Sequence, residues 1–237
     1  MEETTPTDLH ALRAGTLEII RRGGGSRPDV LRVRYGEAQA ILKDQNGCDA
    51  AFARLLGPLL AHREAKALDA LRGLAGIPVL LARPDRRSIL MAHLAATPIG
   101  RASHPDWPAF FTALENLLDA MHDRGVAHCD LRSPDNTLVD ESGKPVLVDF
   151  VASVRRGGAW NPIGRWIFHL FCGVDEKAVI KLKSIVAPEL IAPAERDLLE
   201  HGPILHRVLR GVGIGIRNLT RKLFTGSHRG GRGRADR

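Results

Sequence analysis

The stretch "HCDLRSPDNTLVDESGKPVLVDF", His128 to Phe150, decides the fold of this chain. An Asp stands two residues after a His, an Asn follows a few residues on, and an Asp–Phe pair closes the stretch. "NTLV" and "PVLVDF" are apolar runs, and the turn residues of "DESGK" separate them. That pattern predicts a β-hairpin. It also places two carboxylates, Asp130 and Asp149, and one amide, Asn136, around the predicted hairpin.

The neighbouring segments have their own periodicities. Before the stretch, Pro105, Asp106 and Pro108 predict a helix start, and Gly125 a C-terminal cap. Between them Phe110, Leu114, Leu117, Leu118 and Met121 share one helical face. Earlier, "LRVRYGEAQAILK" alternates about a Gly–Glu turn, with Leu31, Val33 and Tyr35 on one face, and predicts a hairpin that ends at Lys43. "RRGGGSRPD" reads as a flexible loop ahead of it. From Asp49 to Leu71 the apolar spacing is helical, broken at Gly57 and Pro58. "IPVLLARPDRRSILMAHL" predicts two strands joined at "RPDRR". After Phe150 the pattern is helical in "GRWIFHLF", "EKAVIKLKSIV", "AERDLLEHG" and "PILHRVLR", with Trp160 and Trp166 expected in the core. The fold class predicted is α+β, a small sheet-rich lobe followed by a larger helical one. The expected boundaries are an N-terminal extension over 1–24, the sheet-rich lobe over 25–100, the helical lobe over 101–200 and a basic tail over 201–237.

A chain of 237 residues can bury a sizeable core, and 44% hydrophobic with 26% charged residues is globular composition. The net charge of +7 is unevenly placed. From His201 onward eight arginines and one lysine stand against one aspartate, so the remainder sums to −1. The basic character belongs to the tail and does not predict a nucleic-acid-binding body. No run of eighteen apolar residues predicts a membrane span. "MEETTPTDLH" has no apolar signal core, and Cys48, Cys129 and Cys172 are scattered; both features predict a cytoplasmic chain with free thiols. His122, His128, Cys129, His169 and Cys172 form no paired zinc motif, and packing explains them better.

Transfer of a phosphoryl group to a hydroxyl needs a cation on the phosphates, oxygen ligands for Mg²⁺, and a carboxylate to take the hydroxyl proton. Each has a candidate here. Lys43 ends a strand, and Glu64, on the following helix, could hold it as an ion pair. Asp130 is the candidate base and Arg132 could sit against the transferring phosphate. Asn136 and Asp149 offer oxygen atoms to the metal. His128 would brace the loop around Asp130, and Cys129 would fill space.

In this order "AILK", Glu64, "HCDLRSPDN" and "VDF" resemble the V-A-I-K, helix-C Glu, H-R-D…N and D-F-G set of the protein-kinase-like superfamily. The resemblance covers roughly residues 30 to 190. Within the superfamily the "DLRxxxN" loop followed by "VDF" is similar to bacterial lipopolysaccharide-core kinases and to RIO-like kinases. It implies a two-lobed fold with a shortened C-lobe, ATP as co-substrate and Mg²⁺ as cofactor. It further implies nucleotide contacts from Gly23, Gly24, Gly25, Met91 and Leu94. The first branch implies a sugar hydroxyl on a membrane glycolipid as acceptor; the second implies a protein Ser/Thr.

Four departures bear on that implication. Asp135 holds the usual place of the metal-binding Asn, five residues after Asp130, and Asn136 follows it. A one-residue bulge would favour Asn136; otherwise Asp135 takes the role. Val151 replaces the Gly of D-F-G and lacks its freedom at positive φ. "GGGSR" lacks the G-x-G-x-x-G spacing. No A-P-E follows Asp149, so the segment that binds peptide substrates is short or absent, which favours a small-molecule, glycolipid or unusual protein acceptor. The alternative is a pseudokinase, a nucleotide-binding scaffold without transfer.

In the tail Leu205, Val208, Val212, Ile216, Leu219 and Leu223 form a stripe, with Arg207, Arg210, Arg217, Arg221 and Lys222 off it. Such a helix could rest on an anionic membrane, placing the protein at the cytoplasmic face of the inner membrane; docking on the helical lobe is the plainer reading. Without interleaved aromatics the Arg/Gly end does not predict RNA binding.

Overall fold

A helix, α1 (Leu9–Ala14), and a strand, β1 (Thr16–Arg21), precede the first predicted hairpin. The computed structural model that contains them describes residues 8–103, 106–158 and 160–200. β1 pairs antiparallel with β2 (Asp29–Tyr35), so the sheet begins inside the segment expected to be an extension. Leu17, Ile19 and Ile20 of β1 are all exposed. The strand is held at the sheet edge by its backbone ladder and not by a buried face, so no alternation marks it.

β2 and β3 (Ala38–Asp44) form the expected hairpin, with Leu31 opposite Leu42 and Val33 opposite Ala40, all four buried. Two helices follow, α2 (Ala50–Leu55) and α3 (Gly57–Ala70), with Pro58 in the first turn of α3 where its missing N–H costs nothing. β4 (Leu80–Ala82) and β5 (Ser88–Ala92) complete a five-stranded antiparallel sheet in the order β1-β2-β3-β5-β4. α1 is pinned to this sheet at two levels. Leu12 enters an apolar cluster with Leu31, Leu42 and Leu90, and Arg13 bonds Asp29 at 2.8 Å and the fully buried Asp44.

The helical lobe starts with β6 (Ala96–Pro98) and α4 (Trp107–Asp123), capped by Asp106, whose carboxylate accepts the Ala109 N–H at 3.1 Å. Pro105 lies outside the described residues. β7 (Val126–Ala127), β8 (Thr137–Asp140), β9 (Pro145–Leu147) and β10 (Val154–Arg155) make two small sheets, β6-β8-β9 and β10-β7. The two helical patterns after Phe150 join as one helix, α5 (Pro162–Val186), which runs unbroken through Gly173. α6 (Pro193–Glu200) ends the described chain. "PILHRVLR" and the basic stripe lie outside it.

One core joins the lobes. Ala65 and Leu68 of α3 cluster with Phe110, Leu114 and Met121 of α4 and Val179 and Leu182 of α5. The loop after α3 crosses directly over β9: Leu147 N–H donates to Gly76 O at 2.9 Å, and a Cβ on Gly76 would stand 2.4 Å from Pro145 O. The expectation that Trp160 and Trp166 are core residues is corrected, for they are 99% and 61% exposed. α5 buries Phe168, Cys172, Asp175 and Val179. At about 100° per residue Trp166 falls on the far side from Phe168.

Candidate active site

β3 delivers Lys43 into the space under the sheet, where it is 6% exposed. Its Nζ lies 2.9 Å from Glu64 Oε1 on α3 and 2.6 Å from Asp149 Oδ1. Glu64 is 1% exposed. Burial acts to discharge Lys43, but the two carboxylates outweigh it and hold its pKa above that of an ordinary lysine. For Asp149 burial likewise opposes the charge, and the charge and hydrogen bond of Lys43 win, holding its pKa below the usual range. Glu64 differs: burial pushes it up, and Lys43 only partly offsets that.

α3 is held in place by the Asp–Phe segment. Phe150 is fully buried in the core it shares with Ala61, Ala65 and Leu68, and Arg63 donates to Ser153 O at 2.8 Å. The position of Glu64 is therefore set by packing on both sides of the ion pair.

The second half of the site is the turn after β7. His128 is fully buried and joins the two predicted catalytic stretches. Its Nε2 lies 2.9 Å from Val148 O, and the Asp130 N–H donates to its Nδ1 at 3.3 Å. A carbonyl only accepts, so these bonds require the tautomer with the proton on Nε2. The ring also packs 4.6 Å from the Phe150 ring.

The extra residue between Asp130 and Asn136 is absorbed in a 3-10 turn, Pro134–Asn136, closed by the Asn136 N–H to Ser133 O at 3.0 Å. This turn leaves Asp135 exposed and buries Asn136. Asn136 Nδ2 donates to Asp130 O at 2.9 Å and to Asp130 Oδ2 at 3.0 Å, which leaves its oxygen as the atom turned away from Asp130. Asp149 and Asn136 thus supply hard oxygen donors, a set that suits Mg²⁺ when phosphates and water complete the shell. Arg132 is exposed beside Asp130, while Leu131 between them is buried.

Two non-glycine residues at the site have left-handed backbone, Cys129 (φ 69) and Asp149 (φ 68). Such a conformation costs roughly 1–3 kcal/mol and persists only where the surroundings impose it. At Asp149 the side chain is tied to Lys43. At Cys129 the backbone is tied to Asp175, a fully buried residue of α5 outside the kinase-like motif set. Asp175 Oδ1 accepts the Cys129 N–H at 2.7 Å, Oδ2 accepts the His128 N–H at 2.6 Å, and His122 Nε2 stands 3.2 Å away. The signal for Asp175 was in the sequence: an acid at the helical spacing of Phe168, Cys172 and Val179, on an otherwise apolar face. Burial pushes the Cys129 thiol up and that of Cys172 up to about 11, so neither is a reactive thiolate.

The remaining nucleotide-binding candidates are placed differently. Met91 on β5 is a core residue opposite Ile41, and Leu94 is half-buried just past β5, in the link between the lobes. Gly23, Gly24 and Gly25 do lie in the β1–β2 turn, at the Lys43 end of the sheet. Their amides are already engaged: Gly23 N–H to Asp29 at 2.6 Å, Gly24 N–H to Arg27 O at 3.0 Å, Gly25 N–H to Asp49 at 3.0 Å. In this arrangement those three amides are hydrogen-bonded within the protein.

No protein-family model matches the sequence. Among solved structures the chain is similar to the Rio2 kinase from Chaetomium thermophilum, with a TM-score of 0.54 at 19% identity over 90% of this chain and 76% of that one. It is similar also to the ADP/Mg²⁺-phosphoaspartate complex of Rio2 from the same organism, with a TM-score of 0.54 at 18% identity over 90% and 74% of the two chains. With a five-stranded sheet over Lys43, a helix carrying its glutamate partner, and a helical lobe bearing the H-x-D turn and the Asp–Phe strand end, the chain has the protein-kinase-like fold.

Proposed function

We propose that the protein is an ATP- and Mg²⁺-dependent phosphotransferase that moves the terminal phosphoryl group of ATP to a hydroxyl. The observation that carries the reading is the Lys43–Glu64–Asp149 ion cluster, with Nζ 2.9 Å and 2.6 Å from its two partners, beside the Asp130–Asn136 hydrogen bond. Lys43 binds and neutralises the phosphates, and Glu64 keeps it aimed. Asp130 orients the acceptor hydroxyl and takes its proton as the new O–P bond forms and the bond to departing ADP breaks. Arg132 attends the charge on the transferring group. Asp149 and Asn136 would hold Mg²⁺, which when bound neutralises charge on the phosphate oxygens. One of the similar Rio2 structures is described with ADP and Mg²⁺, which supports the same co-substrate and cation here.

The acceptor is a hydroxyl on a lipopolysaccharide-type glycolipid or on a protein Ser/Thr. The short connection from Val151 to α5, with no long peptide-binding segment, favours the former. Purified protein should hydrolyse or transfer phosphate from ATP only with Mg²⁺. Asp130→Ala should lower that turnover about 10²–10⁴-fold while leaving nucleotide binding in place. Unchanged turnover in both Asp130→Ala and Asp149→Ala would overturn the assignment.

A second reading, a nucleotide-binding scaffold without transfer, is favoured by the engaged amides of Gly23, Gly24 and Gly25. It predicts Mg²⁺-dependent ATP binding with no phosphorylated product.

A further inference from the structure

The start of α5 carries apolar side chains that the fold leaves uncovered. Trp160 is 99% exposed, Ile163 70%, Trp166 61% and Ile167 38%. Ile163 and Trp166 lie opposite the face through which Phe168, Cys172 and Asp175 are buried. The segment "VRRGGAWNPIGRWIFHL", Val154 to Leu170, holds three arginines and no acid. Arg156 is folded back, donating to Asp123 O at 3.1 Å and standing 5.9 Å over the Phe168 ring. Arg155 and Arg165 are exposed around the tryptophans.

We propose that this face is a docking surface for the interface of an anionic lipid bilayer. Exposed tryptophans with aliphatic neighbours and an arginine rim suit the headgroup boundary, where an indole can be half apolar and half hydrogen-bonded. Charge separates this occupant from its competitors. A second copy of the chain would bring arginine rim against arginine rim. The segment 201–237 carries nine basic residues against one acid and would be repelled in the same way. An anionic membrane attracts both the rim and that segment.

β10 pairs with β7, Val154 opposite Ala127, and Phe168 clusters with Ala127 and Cys129 just before Asp130. Trp166 is on the opposite face of α5 from that contact, so the width of the helix would separate a bilayer met by the patch from the turn that holds Asp130. The surface stands on exposure and charge and does not depend on the transferase reading, so Asp130→Ala should dock as the wild type does even if no transfer is ever found.

The test uses the full chain with vesicles of phosphatidylcholine alone or mixed with phosphatidylglycerol, read by flotation and by tryptophan emission. Binding to the anionic vesicles with a blue-shifted emission is expected, and it should weaken with salt. Ile163→Glu with Trp166→Glu should lower partitioning by about tenfold or more. Arg165→Glu alone, at an exposed position that folding tolerates, should lower it about fivefold. Equal binding by wild type and these variants would assign attachment to another part of the chain and overturn the proposal. So would equal binding to neutral vesicles. Emission already blue-shifted without vesicles, or a dimer in sedimentation equilibrium that the glutamate variants abolish, would mean that chain or a second copy covers the patch, and would overturn it as well.

Discussion

The buried carboxylate of Asp175 receives the backbone N–H groups of His128 and Cys129, at 2.6 Å and 2.7 Å, from 47 and 46 residues along the chain. One side chain of α5 thereby fixes the backbone immediately before Asp130. Cys129 has left-handed backbone at this point.

Asp175→Asn keeps the shape but replaces one acceptor oxygen with an amide that must face a donor. Hydrogen bonds to charged groups are worth roughly 1.5–3 kcal/mol, and a buried donor left unpaired costs about 1–3 kcal/mol. A loss of about 2–4 kcal/mol in denaturant unfolding is expected. In a phosphate-transfer assay kcat should fall more than KM rises, because Asp130 is misplaced while the Lys43 cluster is untouched. An unchanged kcat would mean that Asp175 has only a packing role.

Lys43→Met removes the counter-charge of Glu64, and breaking a buried pair typically costs about 3–5 kcal/mol. Burial already raises the Glu64 pKa. A group whose pKa is raised on folding takes up its proton more readily in the native state, so stability from it is lost as pH rises through the raised value. The deficit of the variant should therefore shrink as pH is lowered toward the ordinary glutamate range, in urea titrations at each pH. Asp149 has the opposite sign. Burial resists its charge but Lys43 holds its pKa below the ordinary 3.8, so its contribution is full above that value and lost as pH falls through the lower native one. Asp149→Asn should accordingly flatten the acid limb of the stability profile.

Asn136→Ala should weaken Mg²⁺-dependent nucleotide binding about tenfold or more, the loss expected for a group at a metal site. Asp135→Ala, at an exposed position, should stay within roughly 0.5 kcal/mol in stability and near the wild type in binding. Calorimetric titration with and without Mg²⁺ separates the two; the reverse order would assign the metal to Asp135.

Gly23→Ala would put a Cβ 2.4 Å from the carbonyl oxygen of Gly47, where backbone must move. A loss of about 1–3 kcal/mol is expected in thermal or denaturant unfolding. Gly25, at φ +60 with open space around it, should cost about 1–2 kcal/mol from backbone strain alone.

The hairpins at 31–43 and 137–147 were legible because each has a buried face or a strong turn between apolar runs. The helix from Trp107 was legible through Asp106 and its apolar stripe. α1 and β1 were not, because a six-residue helix gives too little periodicity and β1 has no buried face. Trp160 and Trp166 were misplaced for a related reason: hydrophobicity alone does not say which side of a helix faces its neighbour.

By itself the sequence determined the order of the chemical groups, Lys43, Glu64, Asp130, Asn136 and Asp149, and the kind of element that bears each one. Residue type and local period carry that much, because side-chain chemistry and turn propensity are local properties. Only the tertiary structure decided which groups meet. It turned Asn136 inward and Asp135 outward through one 3-10 turn, engaged the amides of Gly23 to Gly25 with Asp29, Arg27 and Asp49, and brought Asp175 under His128. The Asp175 contacts depend on buried donors finding an acceptor 47 and 46 residues away, and the Gly25 contact on an acceptor 24 residues away, and no local pattern encodes such pairings.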